Sequence, residues 1–246
     1  MNQSMRLCHR IQHGSFPCEL SFSLFQLQQV KVIDIDERNS NSNGSYNPTG
    51  TAEEAHCNQR LMAQIYVCRH GQDMDNVAGI LNGHRDEPLS ALGKSQAAAL
   101  AQKVKDEQLQ LNAIYTSPLR RAKETAEEVG RSTGVPVVVM ADLIERDFGV
   151  LTGKPYADIP KYAGENVVQT DKVLYFLSAE GSETFDKCIE RAHRVLNDVD
   201  ARHKGDHVLL VCHGDIGKML VAARKGMGWR DGLEAPYFAN TEVRQL

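Results

Sequence analysis

The sequence predicts an α/β fold, with a mostly parallel central sheet and helices on both faces. From residue 62 onward, short hydrophobic runs alternate with longer segments whose apolar residues recur at helical spacing. This alternation is typical of right-handed βαβ units. Two of the runs, residues 63–68 and 207–212, are mostly apolar, as expected of buried strands.

The first half of this region is predicted to hold two strands and a long helix. The strand at residues 63–68 leads into a polar loop at residues 72–88. A helix follows at about residues 90–105, because four apolar side chains share one face of it: Ala97, Leu100, Ala101 and Val104. Residues 112–116 are predicted to form a short second strand.

The next helix has the clearest start signal in the chain. Ser117 is a good N-cap, and Pro118 suits the first helical position, which needs no N–H. The helix is expected to end at Gly130 or Gly134. The remaining predicted elements are a strand at residues 136–140, a helix from Ser182, the strand at residues 207–212, and a helix from about Asp215 to before Gly226.

Residues 1–61 differ in composition from the rest. Residues 39–48 form a polar run, rich in Asn and Ser, that cannot bury a core. The first eighteen residues lack acidic side chains and include Arg6 and Arg10, a weak likeness to a transit peptide. We therefore divide the chain into an N-terminal extension at residues 1–61, largely disordered or accessory, and one domain at residues 62–246.

Composition narrows the class of protein. Of 246 residues, 41% are hydrophobic and 24% charged, which suits an ordinary soluble domain. The net charge of −4 argues against nucleic-acid binding, and no apolar stretch approaches the roughly 18–20 residues of a membrane-spanning helix. Six scattered cysteines without a C-x-x-C pair indicate a reducing compartment, and Cys68 and Cys212 are interpreted as packing residues. We expect a cytoplasmic protein, with organellar targeting by the extension left open.

Polar residues suited to chemistry follow both buried strands. Arg69-His70-Gly71 ends the first strand, and His213-Gly214 follows the second. Ligands of open α/β sheets collect at the carboxyl ends of strands, so these side chains are expected in one site. Histidine offers a lone pair or a proton near neutral pH, and arginine matches phosphate well. Together they indicate phosphoryl chemistry on histidine.

Five segments extend this pattern: RHGQDMDN at residues 69–76, NGHRDEPLSALG at 82–93, TSPLRRAKETA at 116–126, LIERDFG at 143–149 and VCHG at 211–214. In this order, they make residues 62–246 similar to the histidine phosphatase superfamily. Its members include phosphoglycerate mutases, fructose-2,6-bisphosphatases and broad-specificity phosphomonoesterases. The resemblance implies the phosphoglycerate mutase-like α/β fold.

The resemblance also implies three catalytic residues. His70 is the expected nucleophile, which forms a phosphohistidine while a carbonyl holds its second ring nitrogen. Glu145 is expected to protonate the leaving oxygen and then to activate water, so its pKa should be raised. His213 is expected beside the phosphoryl oxygens. The resemblance implies neither a metal nor another cofactor.

Five further positions are expected to bind the substrate: Arg69, Asn76, Gly83, Arg121 and Gly214. Arg69 and Arg121 would neutralise the phosphoryl oxygens, and Asn76 would add an amide donor. Arg121 and His213 also lie near helix starts, where the backbone N–H groups can help to hold an anion.

Three of these assignments have plain structural alternatives. Arg120 and Arg121 could form a solvated pair, and only Arg121, which precedes an alanine as in the family pattern, is expected to reach the site. Glu145, in Glu-Arg-Asp, could instead pair with a neighbour at the surface. Asn76 could simply cap a turn.

Two acidic residues depart from the family pattern. Asp73 stands where relatives usually carry Ser or Thr, and Asp215 where many carry Gly or Asn. A carboxylate at position 73 would repel a phosphate-rich substrate, unless it faces a cationic or hydroxyl-bearing part. Asp215 is expected to be a helix N-cap, with a place facing the pocket as the alternative. Both acids argue mildly against multiply phosphorylated sugars.

The segment at residues 154–180 is short, whereas mutases of the family carry a long insertion there that encloses the site. A small lid should let water reach a phosphohistidine, which favours hydrolysis over transfer. Four aromatic residues of this segment either line the substrate mouth or pack a loop: Tyr156, Tyr162, Tyr175 and Phe176.

The sequence therefore predicts a metal-independent phosphatase acting on a small phosphomonoester. A phosphoglycerate mutase-type phosphotransferase and a non-catalytic phosphate-binding relative are the alternatives. The expected partner is a small phosphorylated metabolite, with no nucleic acid and no membrane, and a homodimer is left open.

Overall fold

The computed structural model describes residues 62–246. Its strands are β1 Gln64–Arg69, β2 Ala113–Thr116, β3 Val137–Val139, β4 Val167–Gln169, β5 Leu174–Phe176, β6 His207–Cys212 and β7 Val243–Gln245. Its α-helices are α1 Met74–Ala78, α2 Ala91–Asp106, α3 Arg120–Thr133, α4 Ile159–Ala163, α5 Phe185–Arg202, α6 Gly214–Arg224 and α7 Trp229–Glu234. Short 3-10 turns occupy Ala141–Leu143, Gly149–Leu151 and Tyr156–Asp158.

The predicted fold class is confirmed. The central sheet has the strand order β3-β2-β6-β1-β7, and every pair in it is parallel except β1 with the edge strand β7. The strands β4 and β5 form a separate antiparallel hairpin within the short segment that follows Gly153. The predicted lid thus consists mainly of α4 and this hairpin.

Alternation along β6 explains how the sheet is covered on both faces. Val208 and Leu210 point into a core formed with α5 and α6, whereas Leu209 and Val211 point into a second core formed with α2 and α3. Because successive side chains of a strand face opposite ways, an apolar run of this length is buried on both sides. A third, smaller cluster packs the lid elements α4 and β5 against Leu81, Phe148 and Leu151.

Some predicted boundaries were wrong. The helix after β2 begins at Arg120, and its N-cap is Leu119 rather than Ser117. The Ser117 hydroxyl lies 2.7 Å from His213 Nε2 and accepts a hydrogen bond from Leu119 N, so a tertiary partner holds it before the helix starts. Similarly, α5 begins after Thr184, whose side chain accepts from Lys187 N, and not at Ser182.

Other elements were missed. The loop predicted at residues 72–88 contains the helix α1, and the helix α7 and the strand β7 were not predicted. Interpretations of residues 1–61, including the extension, fall outside the described residues. None of the helices formed by residues 62–246 is both long enough and apolar enough to cross a membrane.

The cysteines in the described part of the chain are buried thiols: Cys68, Cys188 and Cys212. Burial raises the pKa of each of them, so their thiolates are disfavoured. This environment agrees with the packing role expected for Cys68 and Cys212.

Candidate active site

The carboxyl ends of β1 and β6 place His70 and His213 side by side. Arg69 is in register with Cys212, and His70 N donates to the Cys212 carbonyl oxygen at 3.0 Å. The two imidazole rings have centroids 5.0 Å apart. The convergence expected from the two motifs therefore follows directly from the parallel register of the two strands.

His70 is held as a neutral imidazole with one ring nitrogen facing the site. Its Nδ1 lies 2.6 Å from the Gly71 carbonyl oxygen, which can only accept, so Nδ1 carries the proton and Nε2 keeps its lone pair. Burial, followed by the charges of Arg121 and Arg69, holds the pKa of His70 well below its usual value. A neutral imidazole with a free Nε2 is the form that can act as a nucleophile.

Arg121 lies between the two histidines. Its Nε is 3.2 Å from both His70 Nε2 and His213 Nδ1, and its side chain is only 1% exposed. The terminal nitrogens donate to the backbone oxygens of Arg85 at 2.6 Å and Gly83 at 3.0 Å. The guanidinium is therefore fixed in place before any ligand arrives.

The neighbouring arginine has a different position. Arg120 is exposed and pairs with Glu124 one helical turn later. Gly83, expected to bind substrate, is buried and contributes its carbonyl to Arg121. Its φ of +49° is readily adopted by glycine, and an added Cβ would lie 2.9 Å from Thr152 Oγ1.

Asp73 is buried directly beneath the two histidines. One of its oxygens caps α1 by accepting from Asn76 N at 2.7 Å, and the other accepts from Asn82 Nδ2 at 2.6 Å. This second oxygen also lies 3.2 Å from Arg121 Nε and 4.0 Å from His70 Nδ1. The carboxylate therefore pairs with Arg121, which the sequence did not predict.

Arg69 brings a second guanidinium to the site. Its NH1 donates to the Tyr237 hydroxyl and, at 2.9 Å, to the Phe238 carbonyl oxygen. Its Nε is buried and is the one side-chain polar atom of residues 62–246 that is fully buried without a hydrogen-bond partner. That N–H lies close to Gly214, where an anionic oxygen would satisfy it.

Glu145 occupies the N-terminus of α6. Its two oxygens accept from Arg146 N at 2.8 Å, Ile216 N at 3.2 Å and Asp215 N at 3.2 Å. Burial, and then the charge of Asp215, raises the pKa of Glu145, against the lowering effect of these N–H donors. The first turn of α6 thus holds a protein carboxyl, whereas the sequence predicted that it would help to hold the substrate anion.

The interpretation of Asp215 as an N-cap was wrong. His213 is the N-cap residue of α6, and Asp215 lies in the first turn of that helix. Its carboxylate pairs with Arg146 Nε at 2.7 Å because Arg146 is buried against the helix start. Asp215 also lines the cavity described below, which was the alternative.

Asn76 both stabilises α1 and faces the cavity. Its backbone N–H and its side chain complete the capping box with Asp73, and its amide also lies 3.4 Å from Asn82 Oδ1. Asn240 Nδ2 donates to the His70 carbonyl oxygen at 2.9 Å and lies 3.4 Å from Asn76 Oδ1. Sequence reasoning missed Asn240 and Tyr237, since no motif or spacing relates them to the histidines.

A cavity of about 700 Å³ opens beside these groups. Arg69, Asn76, Glu145 and Gly214 are part of its lining. His70 and Arg121 are not, although the lining residue Asn240 donates to the His70 carbonyl oxygen. Tyr156, Tyr175 and Phe176 are among its other walls. Tyr162 lies outside the lining and instead contacts Lys154 and Lys161 with its ring.

The arrangement combines three chemical capacities in one place. A neutral imidazole nitrogen can attack, guanidinium N–H groups can stabilise anionic oxygens, and a buried carboxyl with a raised pKa can give and accept a proton. These are the groups that acyl or phosphoryl transfer through a covalent intermediate requires.

Comparisons with known proteins agree with this geometry. The chain is 31% identical over 164 residues to phosphoglycerate mutase-like protein 4 of Arabidopsis thaliana, covering 64% of this chain and 69% of that protein. It is 30% identical over 165 residues to the metal-independent phosphoserine phosphatase of the same plant, covering 63% and 66%. The structure of a mycobacterial glucosyl-3-phosphoglycerate phosphatase matches with a TM-score of 0.65 at 27% identity, covering 74% of this chain and 90% of that one. The family model of the histidine phosphatase superfamily (branch 1) matches residues 65–246, and the chain therefore belongs to that superfamily.

Proposed function

We propose that this protein is a phosphatase that hydrolyses a small phosphomonoester through a phosphohistidine on His70, without a metal. The observation that carries the proposal is the state of His70. Its Nδ1 is fixed by the Gly71 carbonyl, and its unprotonated Nε2 accepts from Arg121 Nε at 3.2 Å, so the lone pair lies beside a cation. A phosphoryl group bound beside His70 Nε2 would contact both the attacking nitrogen and the Arg121 guanidinium.

In the first step, His70 Nε2 forms a bond to phosphorus as the ester P–O bond breaks. The leaving oxygen takes the proton of Glu145, whose raised pKa keeps a protonated population available. Arg69 Nε, Arg121 and His213 stabilise the charge on the remaining phosphoryl oxygens. The products are the alcohol and a phosphohistidine.

In the second step, the Glu145 carboxylate accepts a proton from water as the water oxygen attacks phosphorus. The N–P bond breaks, its electron pair returns to His70 Nε2, and inorganic phosphate leaves. The lid supports hydrolysis over transfer, because the segment after Gly153 supplies only a 3-10 turn, a short helix and a two-stranded hairpin. Water can therefore reach the intermediate.

The test uses the full chain with EDTA and p-nitrophenyl phosphate. We expect the wild type to release nitrophenol and phosphate, His70→Ala to lose at least about a thousandfold in kcat/KM, and His193→Ala, an exposed histidine of α5, to match the wild type. Rapid quenching should trap an acid-labile phosphoprotein that is absent from His70→Ala. Activity that EDTA abolishes, or that survives in His70→Ala, would contradict the proposal.

The role of Glu145 can be separated from that of His70. Nitrophenolate can leave as an anion, whereas the leaving oxygen of ethyl phosphate must be protonated to leave as ethanol. Glu145→Gln should therefore reduce kcat/KM for ethyl phosphate by about a hundredfold or more, and kcat/KM for p-nitrophenyl phosphate much less. Equal losses on both esters would assign Glu145 a purely structural role. Isomerisation of a phosphoglycerate that requires a bisphosphate would instead identify a mutase.

A further inference from the structure

The cavity extends well past the end where Arg69 and Glu145 lie. We call its far part the distal pocket and define it by five lining residues, all aromatic or aliphatic: Leu81, Phe148, Ile159, Leu174 and Phe176. The rings of Phe148 and Phe176 pack edge to face, with centroids 5.2 Å apart. Most of these side chains also belong to the hydrophobic cluster beneath the lid, so the wall is fixed by packing.

Two cations in the cavity wall are already engaged by the protein. Arg146 donates to Asp215 at 2.7 Å and to the Phe176 carbonyl oxygen at 3.1 Å, and its guanidinium lies 4.0 Å from the centre of the Phe176 ring. It is 1% exposed. A ligand therefore meets the aromatic face around Arg146 and not a free guanidinium.

Lys218 is engaged in the same way. Its Nζ donates to the Leu233 carbonyl oxygen at 2.6 Å and lies 5.0 Å from the centre of the Tyr175 ring. It is 3% exposed, and burial lowers its pKa to about 8. Of the lining cations beyond the phosphoryl end, Lys172 alone is exposed, and it lies in the turn between β4 and β5, at the rim.

Charge and packing therefore oppose a second anionic group in the ligand. A carboxylate or phosphate in the distal pocket would lose water, and Lys172 is the one lining cation there that is not already engaged, since Arg146 pairs with Asp215. An apolar group would exchange water for aromatic and aliphatic contacts. A cavity of about 700 Å³ has room for a ring beside a phosphoryl group.

We propose that the distal pocket selects phosphomonoesters whose leaving alcohol carries an aromatic or bulky apolar group, and discriminates against those that carry a carboxylate or a second phosphate. The proposal rests on the phosphatase function proposed above. The proposed preference differs from that of phosphatases whose substrates are phosphorylated carboxylic acids.

The test is a matched series of primary-alcohol esters: ethyl, 2-phenylethyl and 2-carboxyethyl phosphate. Their leaving groups are of one chemical kind, so differences in kcat/KM report on the distal group. We expect 2-phenylethyl phosphate to exceed ethyl phosphate by about tenfold or more, from the apolar area that the ring buries. We expect 2-carboxyethyl phosphate to fall below ethyl phosphate. Equal rates, or a preference for the carboxylate, would overturn the proposal.

Binding provides a readout that does not depend on turnover. The corresponding propyl, 3-phenylpropyl and 3-carboxypropyl phosphonates cannot be hydrolysed, and calorimetry with the full chain gives their affinities. Tighter binding of the phenyl compound by about tenfold supports the selection even if no ester is hydrolysed, in which case the phosphatase function alone fails. Tightest binding of the carboxy compound overturns the selection.

A charge placed in the pocket should reverse the preference. Leu174→Lys adds a cation at a half-buried position of β5, and should raise kcat/KM for 2-carboxyethyl phosphate relative to 2-phenylethyl phosphate by about tenfold. The matched control is Val138→Lys, which places the same change on the exposed edge strand β3, away from the cavity. An unchanged ratio in a folded Leu174→Lys protein would contradict the assigned pocket.

Discussion

Replacing Asp73 by Asn should make the site bind phosphate more tightly. The Asp73 carboxylate lies 3.2 Å from Arg121 Nε, so a phosphoryl group must share that guanidinium with an internal anion. Asparagine keeps the size of the side chain and is an equally good helix N-cap. The substitution therefore removes the charge while leaving α1 capped.

The size of the effect follows from distance. Asp73 Oδ2 lies 4.0 Å from His70 Nδ1. Across the ring, a phosphoryl group at Nε2 would lie about 6 Å from that oxygen, where two unit charges repel by about 3 kcal/mol at an effective dielectric constant of about 20. The pairing of Asp73 with Arg121 offsets part of this repulsion. We expect about tenfold tighter binding of inorganic phosphate, which corresponds to about 1.4 kcal/mol.

Inhibition of p-nitrophenyl phosphate hydrolysis by phosphate, and calorimetry, would measure the change. In phosphate-free buffer the variant should melt at a lower temperature, because Arg121 loses its buried partner. Saturating phosphate should then raise its Tm more than it raises that of the wild type. Asp75→Asn is the control, since Asp75 lies in α1, the helix that Asp73 caps, and pairs instead with Arg85.

Unchanged or weaker phosphate binding in folded Asp73→Asn would refute the reasoning. If that variant does not fold, Asp73→Ser tests the same idea, because serine also caps helices and carries no charge. Its phosphate affinity should rise in the same direction.

Three other perturbations have defined outcomes. Asp215→Asn removes a charge that raises the pKa of Glu145, so the high-pH limb of kcat/KM for ethyl phosphate should move to lower pH. Burial holds the pKa values of His70 and His213 well below the ordinary 6.5, so on acidification the unfolded chain takes up protons before the folded one. The free energy of unfolding should therefore fall as the pH drops through 6.5, and it should fall less steeply in the His70→Gln variant. Gly93→Ala should lower the free energy of unfolding, measured with urea, by about 3 kcal/mol, since its Cβ would lie 1.9 Å from the Gln72 carbonyl oxygen.

The controls for these three experiments are matched in kind. Asp206→Asn removes an exposed carboxylate that pairs with His203, and should leave the pH profile unchanged. His193→Gln changes an exposed histidine, and should keep the wild-type dependence of stability on pH. Ser95→Ala adds no atoms in the same helix as Gly93. The argument for Asp215 is contradicted if the high-pH limb of kcat/KM moves to higher pH. The histidine argument is contradicted if the stability of His70→Gln depends on pH as steeply as that of the wild type. The argument for Gly93 is contradicted if Gly93→Ala is as stable as the wild type.

The elements that the sequence predicted well are those whose signal is local. Hydrophobic runs located β1 and β6, and helical spacing located α2. The parallel register then brings His70 and His213 together, because each immediately follows its strand. Site residues that directly follow a strand can thus be predicted from the hydrophobic pattern of the sequence.

Tertiary contacts explain the misses. Ser117 has the sequence of an N-cap, yet the His213 side chain holds its hydroxyl, and the helix starts later. Asp73 looks from sequence like an unpaired charge, and only the fold shows that it pairs with Arg121. Asn240, which donates to the His70 carbonyl oxygen, lies just before the three-residue strand β7. That strand is too short to stand out in a hydrophobicity pattern.

The position of β1 inside the sheet has a consequence for how the protein is made. Its neighbours β6 and β7 are synthesised long after it, and the contacts of Arg69 with Phe238 and of His70 with Asn240 span 169 and 170 positions. On the ribosome, β1 must therefore wait unpaired, with its apolar residues available to chaperones or to other nascent chains. We expect folding to be slow for a domain of this size, and His70 to acquire its geometry among the last events.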